Sequence, residues 1–342
     1  MKTLFVTGGA GFIGSNFIRF VLDNKPDYKI INLDALTYAG NLMNLDGIDS
    51  ERHLFVKGNI TDRHLLDKLF SEHSPDAVIN FAAESHVDRS IINPNIFIET
   101  NVLGTAALLE VAKKHWQEDT SKIFLQVSTD EVYGTLPEDD PQAKFTEDTP
   151  LNPHSPYSAS KAGADHLVQS YHDTFGMSTI ITRCSNNYGP YQFPEKLIPL
   201  IINNARSNRE LPVYGDGKNV RDWLYVEDHC SALVTALEKG TPGHVYNIGG
   251  DNEMQNIEII KILLKILGKP ESLITFVKDR PGHDRRYAID ATKAKNELGW
   301  LPRTISHEGL EKTVNWYINN NEWMQKVVSG EYIKYYEEQY KK

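Results

Sequence analysis

Residues 127–134, VSTDEVYG, place a hydroxyl and two carboxylates side by side where the apolar run KIFLQVS ends. Burying an unpaired charge is unfavourable, so two adjacent acids at this point, Asp130 and Glu131 after Thr129, indicate a chemical role. The alternative is structural, with both acids capping the turn that follows.

A tyrosine and a lysine four residues apart are the second candidate. In HSPYSASKAG, Tyr157 and Lys161 follow an expected N-cap, Ser155, so both side chains should lie on one helix face. A lysine charge about 4 Å away contributes roughly 4 kcal/mol at a dielectric of about 20, enough to lower a phenol's pKa from about 10 to about 7. The pair predicts a tyrosine base; a surface tyrosine beside a solvated lysine is the alternative. The other Y-x-x-x-K, in YGDGK, contains two glycines and is not expected to be helical.

The glycine-rich stretch TGGAGFIGSN predicts a dinucleotide site. Gly8, Gly11 and Gly14 fit G-x-x-G-x-x-G, and Gly9 completes G-x-G-x-x-G, which lets the backbone approach a pyrophosphate at a helix N-terminus. Asp34 ends the second apolar run, and ALTYAGN after it has no Arg or Lys for a 2′-phosphate, so we expect NAD rather than NADP. The alternatives are a plain glycine turn and a helix cap at Asp34.

Six short apolar runs must form the sheet that positions these residues: TLFVTGG, KIINLDAL, HLFVKGNI, AVINFAA, KIFLQVS and TIITRCS. They alternate with the helical patterns FIGSNFIRFVLDN, RHLLDKLFSEH, TNVLGTAALLEVAKKHW and PYSASKAGADHLVQSYHDTF. The prediction is an α/β fold with a Rossmann-like, doubly wound parallel sheet. Residues 1–186 should form the NAD-binding domain, with 222–250 returning to it, while 187–221 and 251–342 form a smaller C-terminal lobe. EYIKYYEEQYKK is expected to be a solvated helix or a frayed tail.

Composition excludes several classes of function. The 342 residues carry a net charge of -10, which argues against non-specific binding to nucleic acid or anionic membranes. The two cysteines form no CxxC pair and the twelve histidines show no H-x-H or HExxH spacing, so no metal site is predicted. The opening strand leaves no room for a signal peptide and no run is long enough to span a bilayer; we expect a cytoplasmic protein.

GGAGFIGS, STDEVYG and YxxxK together resemble the extended short-chain dehydrogenase/reductases that modify nucleotide sugars. FAAESHVDRS, RCSNNYGPYQFPEKLIP, NVRDWLYVEDH and DRPGHDRRY are closely similar to dTDP-glucose 4,6-dehydratases, and the resemblance covers essentially the whole chain. It implies a lyase with bound NAD that acts on dTDP-glucose. Its product, dTDP-4-keto-6-deoxy-glucose, would serve deoxysugar biosynthesis, for example of dTDP-rhamnose.

The resemblance also implies roles for the candidate residues. Tyr157, with its pKa lowered by Lys161, would deprotonate the C4 hydroxyl while hydride passes to NAD, and Thr129 would hydrogen-bond at C4. Glu131 would then remove the C5 proton and Asp130 would protonate the departing C6 hydroxyl, before hydride returns to C6. An elimination needs both a base and an acid, so Asp130 should be protonated and Glu131 ionised.

Two binding shells follow from the same resemblance. The cofactor shell is Gly8, Gly11, Phe12, Ile13, Gly14, Asp34, Thr37, Asn59, Ile60, Phe81, Ala82, Ala83, Ser85, Thr100, Tyr157, Lys161 and Asn187. Asn59 stands where many relatives carry an aspartate facing the adenine amine; an amide oxygen can still accept that bond. The substrate shell is Ser85, Thr129, Asn186, Lys196, Leu197, Ile198, Pro199, Pro212, Tyr214, Arg221, Asn256, Arg280 and His283.

Rival functions stay open at this point. A UDP-glucuronate decarboxylase or a nucleotide-sugar 4-epimerase could use the same tyrosine, lysine and NAD. Neither needs an acid for a C6 hydroxyl, so the presence of Asp130 distinguishes a dehydratase from both. A non-catalytic NAD-binding regulator would be expected to lose the catalytic groups. A homodimer is also expected, because the helices at 100–116 and 156–175 carry apolar residues on more than one face, including Leu108, Leu109, Val111, Leu167 and Val168.

Overall fold

A computed structural model describes residues 2–49, 51–137, 139–279 and 282–328. Within these ranges the strands are β1 (Lys2–Thr7), β2 (Tyr28–Asp34), β3 (His53–Lys57), β4 (Ala77–Asn80), β5 (Ile123–Thr129), β6 (Thr179–Cys184), β7 (Asn186–Tyr188), β8 (Leu211–Tyr214), β9 (Val220–Tyr225), β10 (Val245–Ile248), β11 (Glu253–Gln255) and β12 (Ile274–Val277).

The main sheet has seven strands in the order β10-β6-β5-β4-β1-β2-β3, and every neighbouring pair is parallel. The six apolar runs are its first six strands, so the predicted doubly wound sheet is confirmed. The strand order reverses between β1 and β4, which opens a crevice at their carboxyl ends, the usual ligand position in such sheets.

The helices that the structure describes are α1 (Phe12–Asn24), α2 (Arg63–His73), α3 (Val87–Ile92), α4 (Pro94–Phe97), α5 (Thr105–Trp116), α6 (Pro156–Phe175), α7 (Leu197–Arg206), α8 (Val226–Lys239), α9 (Asn256–Leu267), α10 (Ser306–Asn319) and α11 (Asn321–Val327). The bounds of α1, α2 and α6 are those predicted. The helix predicted from residue 100 differs, because a π-helical segment, Ile98–Gly104, precedes α5. Gly104 packs so closely that a Cβ would lie 2.4 Å from Cδ1 of Ile60.

Apolar cores cover both faces of the main sheet, which explains why its strands are continuously apolar. In β1, Leu4 and Val6 pack with α1 and α8, whereas Phe5 between them packs with α2 and α5. The residues on which the dimer expectation rested pack inside the chain. Leu108, Leu109, Val111 and Val168 are buried, and Leu167 is partly buried. As a basis for a dimer, that choice of residues was wrong.

The second half of the chain forms two small sheets and a separate core. The sheets have the strand orders β11-β9-β7 and β12-β8, and α7, α9, α10 and α11 pack with them. Helix α8 packs on α1, and β10 pairs with β6 at one edge of the main sheet. The lobe boundaries given above stay a prediction, and the segment 331–342 lies outside the described residues. No helix in the described ranges is long and apolar enough to cross a membrane.

Candidate active site

The glycine loop joins β1 to α1 in a tightly packed turn. Gly8 has a φ of +68°, a conformation that favours glycine, and a Cβ there would lie 2.8 Å from the backbone nitrogen of Ala82. A Cβ on Gly14 would lie 2.3 Å from the carbonyl oxygen of Gly8. The loop and the N-terminus of α1 therefore present bare backbone to the crevice, which suits a pyrophosphate.

Asp34 ends β2 beside that loop. Its Oδ2 accepts a hydrogen bond from the backbone nitrogen of Ala10 (2.8 Å) and its Oδ1 accepts one from Leu36 (2.7 Å). Burial raises the pKa of the Asp34 carboxyl, and these two bonds oppose the rise. The helix-cap alternative is wrong, because the next helical turn begins at Leu42 and is capped by Asn41.

One cavity of about 300 Å³ brings the predicted groups together. All the residues of the expected cofactor shell line it, as do Thr129, Asp130 and Glu131. Asn59 is among them, but its side-chain oxygen already accepts a hydrogen bond from the backbone nitrogen of Thr61 (3.0 Å). A bond from an adenine amine would have to share that oxygen.

The two acids follow β5 in a short 3-10 turn, Asp130–Tyr133, whose N-cap is Thr129. The Thr129 hydroxyl accepts a hydrogen bond from the backbone nitrogen of Glu131 and donates one to Oδ1 of Asp130, both at 3.3 Å. Because Thr129 caps the turn, capping does not account for the acids. Asp130 is buried, and its Oδ2 has no hydrogen-bond partner among the described residues.

Burial is the main reason that the pKa of Asp130 lies well above its usual value. The negative charges of Glu131 and Asp222 add to the rise, and the positive charge of Arg221 opposes it. These directions favour the protonated acid at position 130.

Tyr157 and Lys161 lie in the first turns of α6, which starts with a capping box. Ser155 accepts a hydrogen bond from the backbone nitrogen of Ser158 (3.1 Å), and the Ser158 hydroxyl accepts one from that of Ser155 (3.0 Å). The ammonium group of Lys161 donates to the carbonyl of Val127 (2.8 Å), which holds it at the end of β5.

Burial shifts the pKa values of both groups toward their neutral forms. It lowers the pKa of Lys161, and it raises the pKa of Tyr157 well above the usual value, with the charge of Glu131 adding to the rise. A hydrogen bond with Thr129 opposes the rise at Tyr157. The threonine and tyrosine hydroxyls therefore lie together, while the lowering of the tyrosine pKa by Lys161 stays a prediction.

The expected substrate shell divides between two places. Ser85, Asn186 and Lys196 line the cavity with Thr129. The rest of the described set lies beyond it, at the start of α7 (Leu197, Ile198, Pro199), in β8 and β9 (Pro212, Tyr214, Arg221), at the start of α9 (Asn256) and at His283. Arg280 lies outside the described residues.

Contacts join several members of this outer group. The rings of Tyr214 and His283 meet edge to face with centroids 6.1 Å apart. Nη2 of Arg221 donates to the carbonyl of Asp284 (2.8 Å). The charge of Arg221 also acts on Asp130, so Arg221 lies near the Asp130–Tyr133 turn. Within the described ranges, no group of three or more His, Cys, Asp or Glu side chains could hold a metal ion.

Comparisons with known proteins identify the family of this chain. A family model described as GDP-mannose 4,6 dehydratase matches residues 5–313. The chain is 55% identical to a dTDP-glucose 4,6-dehydratase of Xanthomonas campestris pv. campestris (strain B100), with 97% of each chain covered. The chain belongs to the dTDP-glucose 4,6-dehydratase family.

Solved structures of that family have the same fold. A dTDP-glucose 4,6-dehydratase from Bacillus anthracis str. Ames in complex with NAD is 50% identical, with a TM-score of 0.88 over 96% of this chain and 100% of that one. DesIV, a dTDP-glucose 4,6-dehydratase from Streptomyces venezuelae with NAD and TYD bound, is 47% identical, with a TM-score of 0.90 over 95% and 99%.

Several residues that line the cavity or act on Asp130 were not among the sequence predictions. Asp222, which helps to raise the pKa of Asp130, accepts hydrogen bonds from the backbone nitrogens of Gly250 (2.8 Å) and Asn252 (2.7 Å). Tyr38 and Glu195 line the cavity. The only signal in the sequence was their position, since each adjoins a predicted residue (Arg221, Thr37 and Lys196).

Proposed function

We propose that this protein is a dTDP-glucose 4,6-dehydratase that forms dTDP-4-keto-6-deoxy-glucose. The observation that carries the proposal is the pair of acids at the end of β5, in one cavity with Tyr157 and Lys161. Elimination of water across C5 and C6 requires a base and an acid at neighbouring carbons. The raised pKa of Asp130 suits the acid.

The residues around the glycine loop fit NAD. The bare backbone of Gly8 and Gly14 accommodates the pyrophosphate, and the Asp34 carboxylate accepts hydrogen bonds from the adenine ribose. Thr100, Ser85 and Asn187 line the remaining length of the cavity. Bound NAD supplies a hydride acceptor for oxidation at C4 and the hydride that C6 receives.

The chain's own side chains then move the protons. Tyr157, beside the Thr129 hydroxyl, takes the proton of the C4 hydroxyl, and the positive charge of Lys161 stabilises the phenolate. Once C4 is a ketone, the C5 proton is acidic enough for Glu131 to remove. Asp130 donates its proton to the departing C6 hydroxyl, and its burial keeps that proton in place until then.

Arginine and lysine side chains suit the substrate's diphosphate. Lys196 at the cavity and Arg221 in β9 are the described cations of the expected shell, and in this proposal Tyr214 contacts the base. Asp130 argues against a UDP-glucuronate decarboxylase or a 4-epimerase. The shared cavity of all five catalytic side chains argues against a non-catalytic regulator.

Incubation with dTDP-glucose tests the proposal, because a 4-keto product is detected by its absorbance in base. UDP-, GDP- and CDP-glucose test the choice of nucleotide, and UDP-glucuronate with detection of carbon dioxide tests the decarboxylase. Substrate deuterated at C4 should give product with deuterium at C6 of the same molecule. Label found in free reduced cofactor would contradict the proposal.

We also propose a homodimer in the cytoplasm. Five apolar side chains are exposed along residues 91–103, which pack on α6; we call them the isoleucine patch (Ile91, Ile92, Ile96, Ile98 and Leu103). Exposed apolar patches of this kind commonly mark protein interfaces, and a second copy of the chain would cover it. The two cysteines, free and buried, suit a reducing compartment.

A further inference from the structure

Three segments meet beside the cavity around the side chains of Tyr38, Arg89 and Glu195. The Glu195 carboxylate accepts a hydrogen bond from Nε of Arg89 (3.4 Å). The guanidinium carbon of Arg89 lies 4.1 Å from the ring centroid of Tyr38, and that ring meets Phe193 edge to face at 5.7 Å. We call these four residues the clasp; Tyr38 comes from the loop after β2, Arg89 from α3, and Phe193 and Glu195 from the loop before α7.

The centre of the clasp is an ion pair between the buried Glu195 and Arg89, whose side chain is 27% exposed. The side chain of Glu195 is 1% exposed, and Nε2 of His86 lies 3.8 Å from the same oxygen that Arg89 contacts. Burial raises the pKa of Glu195 to about 7, while the positive charges of Lys196 and Arg89 oppose the rise. Ion pairs contribute little net stability, both when they are partly exposed and, compared with apolar residues of the same volume, when they are buried. A role in positioning accounts for the pair better than a role in stability.

Each end of the clasp adjoins a ligand-binding segment. Tyr38 follows Thr37 in the cofactor shell, and the backbone nitrogen of Asn41 donates to the carbonyl of Ala10, which ties this loop to the glycine loop (3.0 Å). At the other end Glu195 precedes Lys196, whose ammonium group donates to the carbonyl of Ser85 (3.1 Å). The clasp therefore links the cofactor loop to the segment expected to hold the diphosphate.

We propose that the clasp retains NAD through the catalytic cycle and couples that retention to nucleotide binding at Lys196, with Arg89 and Glu195 as positioning residues. A nucleotide diphosphate that orders residues 193–196 also fixes Tyr38 against the cofactor loop, so NAD leaves more slowly. By linkage, bound NAD tightens the binding of the nucleotide to the same degree. The coupling rests on the proposed function only in assigning the diphosphate to Lys196.

The test measures exchange of bound NAD for labelled NAD in the full-length protein, with and without dTDP. At pH 8, above the pKa of about 7 for Glu195, Glu195→Gln keeps the shape of the side chain but removes its charge, and Tyr38→Leu removes the aromatic face. Each should speed exchange about tenfold, equivalent to about 1.4 kcal/mol. dTDP should slow exchange in the wild type and have little effect in the variants. Combining the two changes should add little, because both act through one unit.

Glu238→Gln is the matched control, since it breaks an ion pair with Lys25 (2.6 Å) that lies away from the cavity. It should leave exchange unchanged. If Glu195→Gln does not fold, Arg89→Lys keeps the charge but loses the planar group over Tyr38, and should still speed exchange. Exchange within twofold of the wild type in a folded clasp variant would overturn the proposal. The assay needs no turnover, so a missing dehydratase activity would be seen separately.

Discussion

The proposed mechanism gives the two acids at the end of β5 separate tasks, so removing either should stall the reaction at the same stage. Asp130→Asn and Glu131→Gln keep size but remove the acid or the base. Because the proposal assigns the oxidation at C4 to Tyr157 and Lys161, elimination alone should slow, by about 10²–10⁴. Adding dTDP-glucose should then give the absorbance of reduced nicotinamide on the enzyme before any 4-keto-6-deoxy product forms.

Tyr157→Phe is the control for that experiment, and it should lose the reduced-nicotinamide signal together with the product. A rate for Asp130→Asn within about threefold of the wild type, under about 0.7 kcal/mol, would contradict the acid role. It would also remove the residue that separates a dehydratase from a decarboxylase.

The Asp130 carboxyl should also make stability depend on pH. Burial, with the charges of Glu131 and Asp222, raises its pKa above that of the unfolded chain. Its contribution to stability is therefore complete below the unfolded pKa of about 4 and is lost as pH rises through the folded pKa. Asp130→Asn resembles the protonated acid, so its melting temperature should exceed that of the wild type at pH 8, by about 2–4 °C for each kcal/mol of stability gained.

Scanning calorimetry at pH 8 and pH 5 checks this prediction, because the gain should shrink toward the lower pH. The exposed Asp139 provides the control, since Asp139→Asn should change the melting temperature equally little at both pH values. An Asp130→Asn gain that does not vary with pH would show that the carboxyl is not the cause.

Residues in local motifs could be predicted, and residues in distant pairs could not. The acids after Thr129 follow a strand end, and Tyr157 and Lys161 share a helix turn, so short-range geometry places them. Glu195 and Arg89 are 106 positions apart, and no spacing in the sequence relates them. Their pairing exists only because the fold brings α3 to the loop before α7.

At the scale of elements, the β1–α1 turn is packed so tightly that it requires glycine, which has no side chain. Gly14→Ala would place a Cβ 2.3 Å from the carbonyl oxygen of Gly8, so the loop must open. We expect NAD affinity to fall at least about tenfold, or about 1.4 kcal/mol, as measured by titration calorimetry. Gly163→Ala is the control, since its Cβ would meet only Val102, at 3.4 Å. NAD affinity lowered equally in both variants would contradict this account of the loop.

The N-terminus of α6 depends on its capping box. Ser155→Ala removes the acceptor for the backbone nitrogen of Ser158 and should cost about 1 kcal/mol of unfolding free energy, measured by urea denaturation. Because Tyr157 lies in this first turn, kcat should fall as well. Ser155→Thr retains a capping hydroxyl and should restore both quantities. Full activity in Ser155→Ala would show that the cap does not position the tyrosine.

Element bounds followed the sequence pattern where periodicity and caps were both regular, as in α2, capped by Asp62, and α6, capped by Ser155. The helix expected from residue 100 lacked such a start. Apolar periodicity does not distinguish a π-helical turn from an α-helical one, and the close packing of Gly104 on Ile60 is a tertiary contact. The π-helical segment contains Thr100, which lines the cavity.

At the scale of the whole molecule, the isoleucine patch and the cavity share this π-helical segment. Leu103 is 57% exposed on the outside, while Thr100, three residues before it, lines the cavity. A partner subunit that covers Leu103 would therefore also hold Thr100 in place.

We expect Ile96→Glu with Leu103→Glu to give a monomer in sedimentation, because the charges could be buried in the interface only at high cost. Bound NAD should exchange faster in that monomer. Phe276→Glu is the control, since Phe276 is equally exposed but lies in β12, outside the patch. A wild type that sediments as a monomer at micromolar concentration would contradict the proposed dimer. A double variant that remains dimeric would show that the interface lies outside the isoleucine patch.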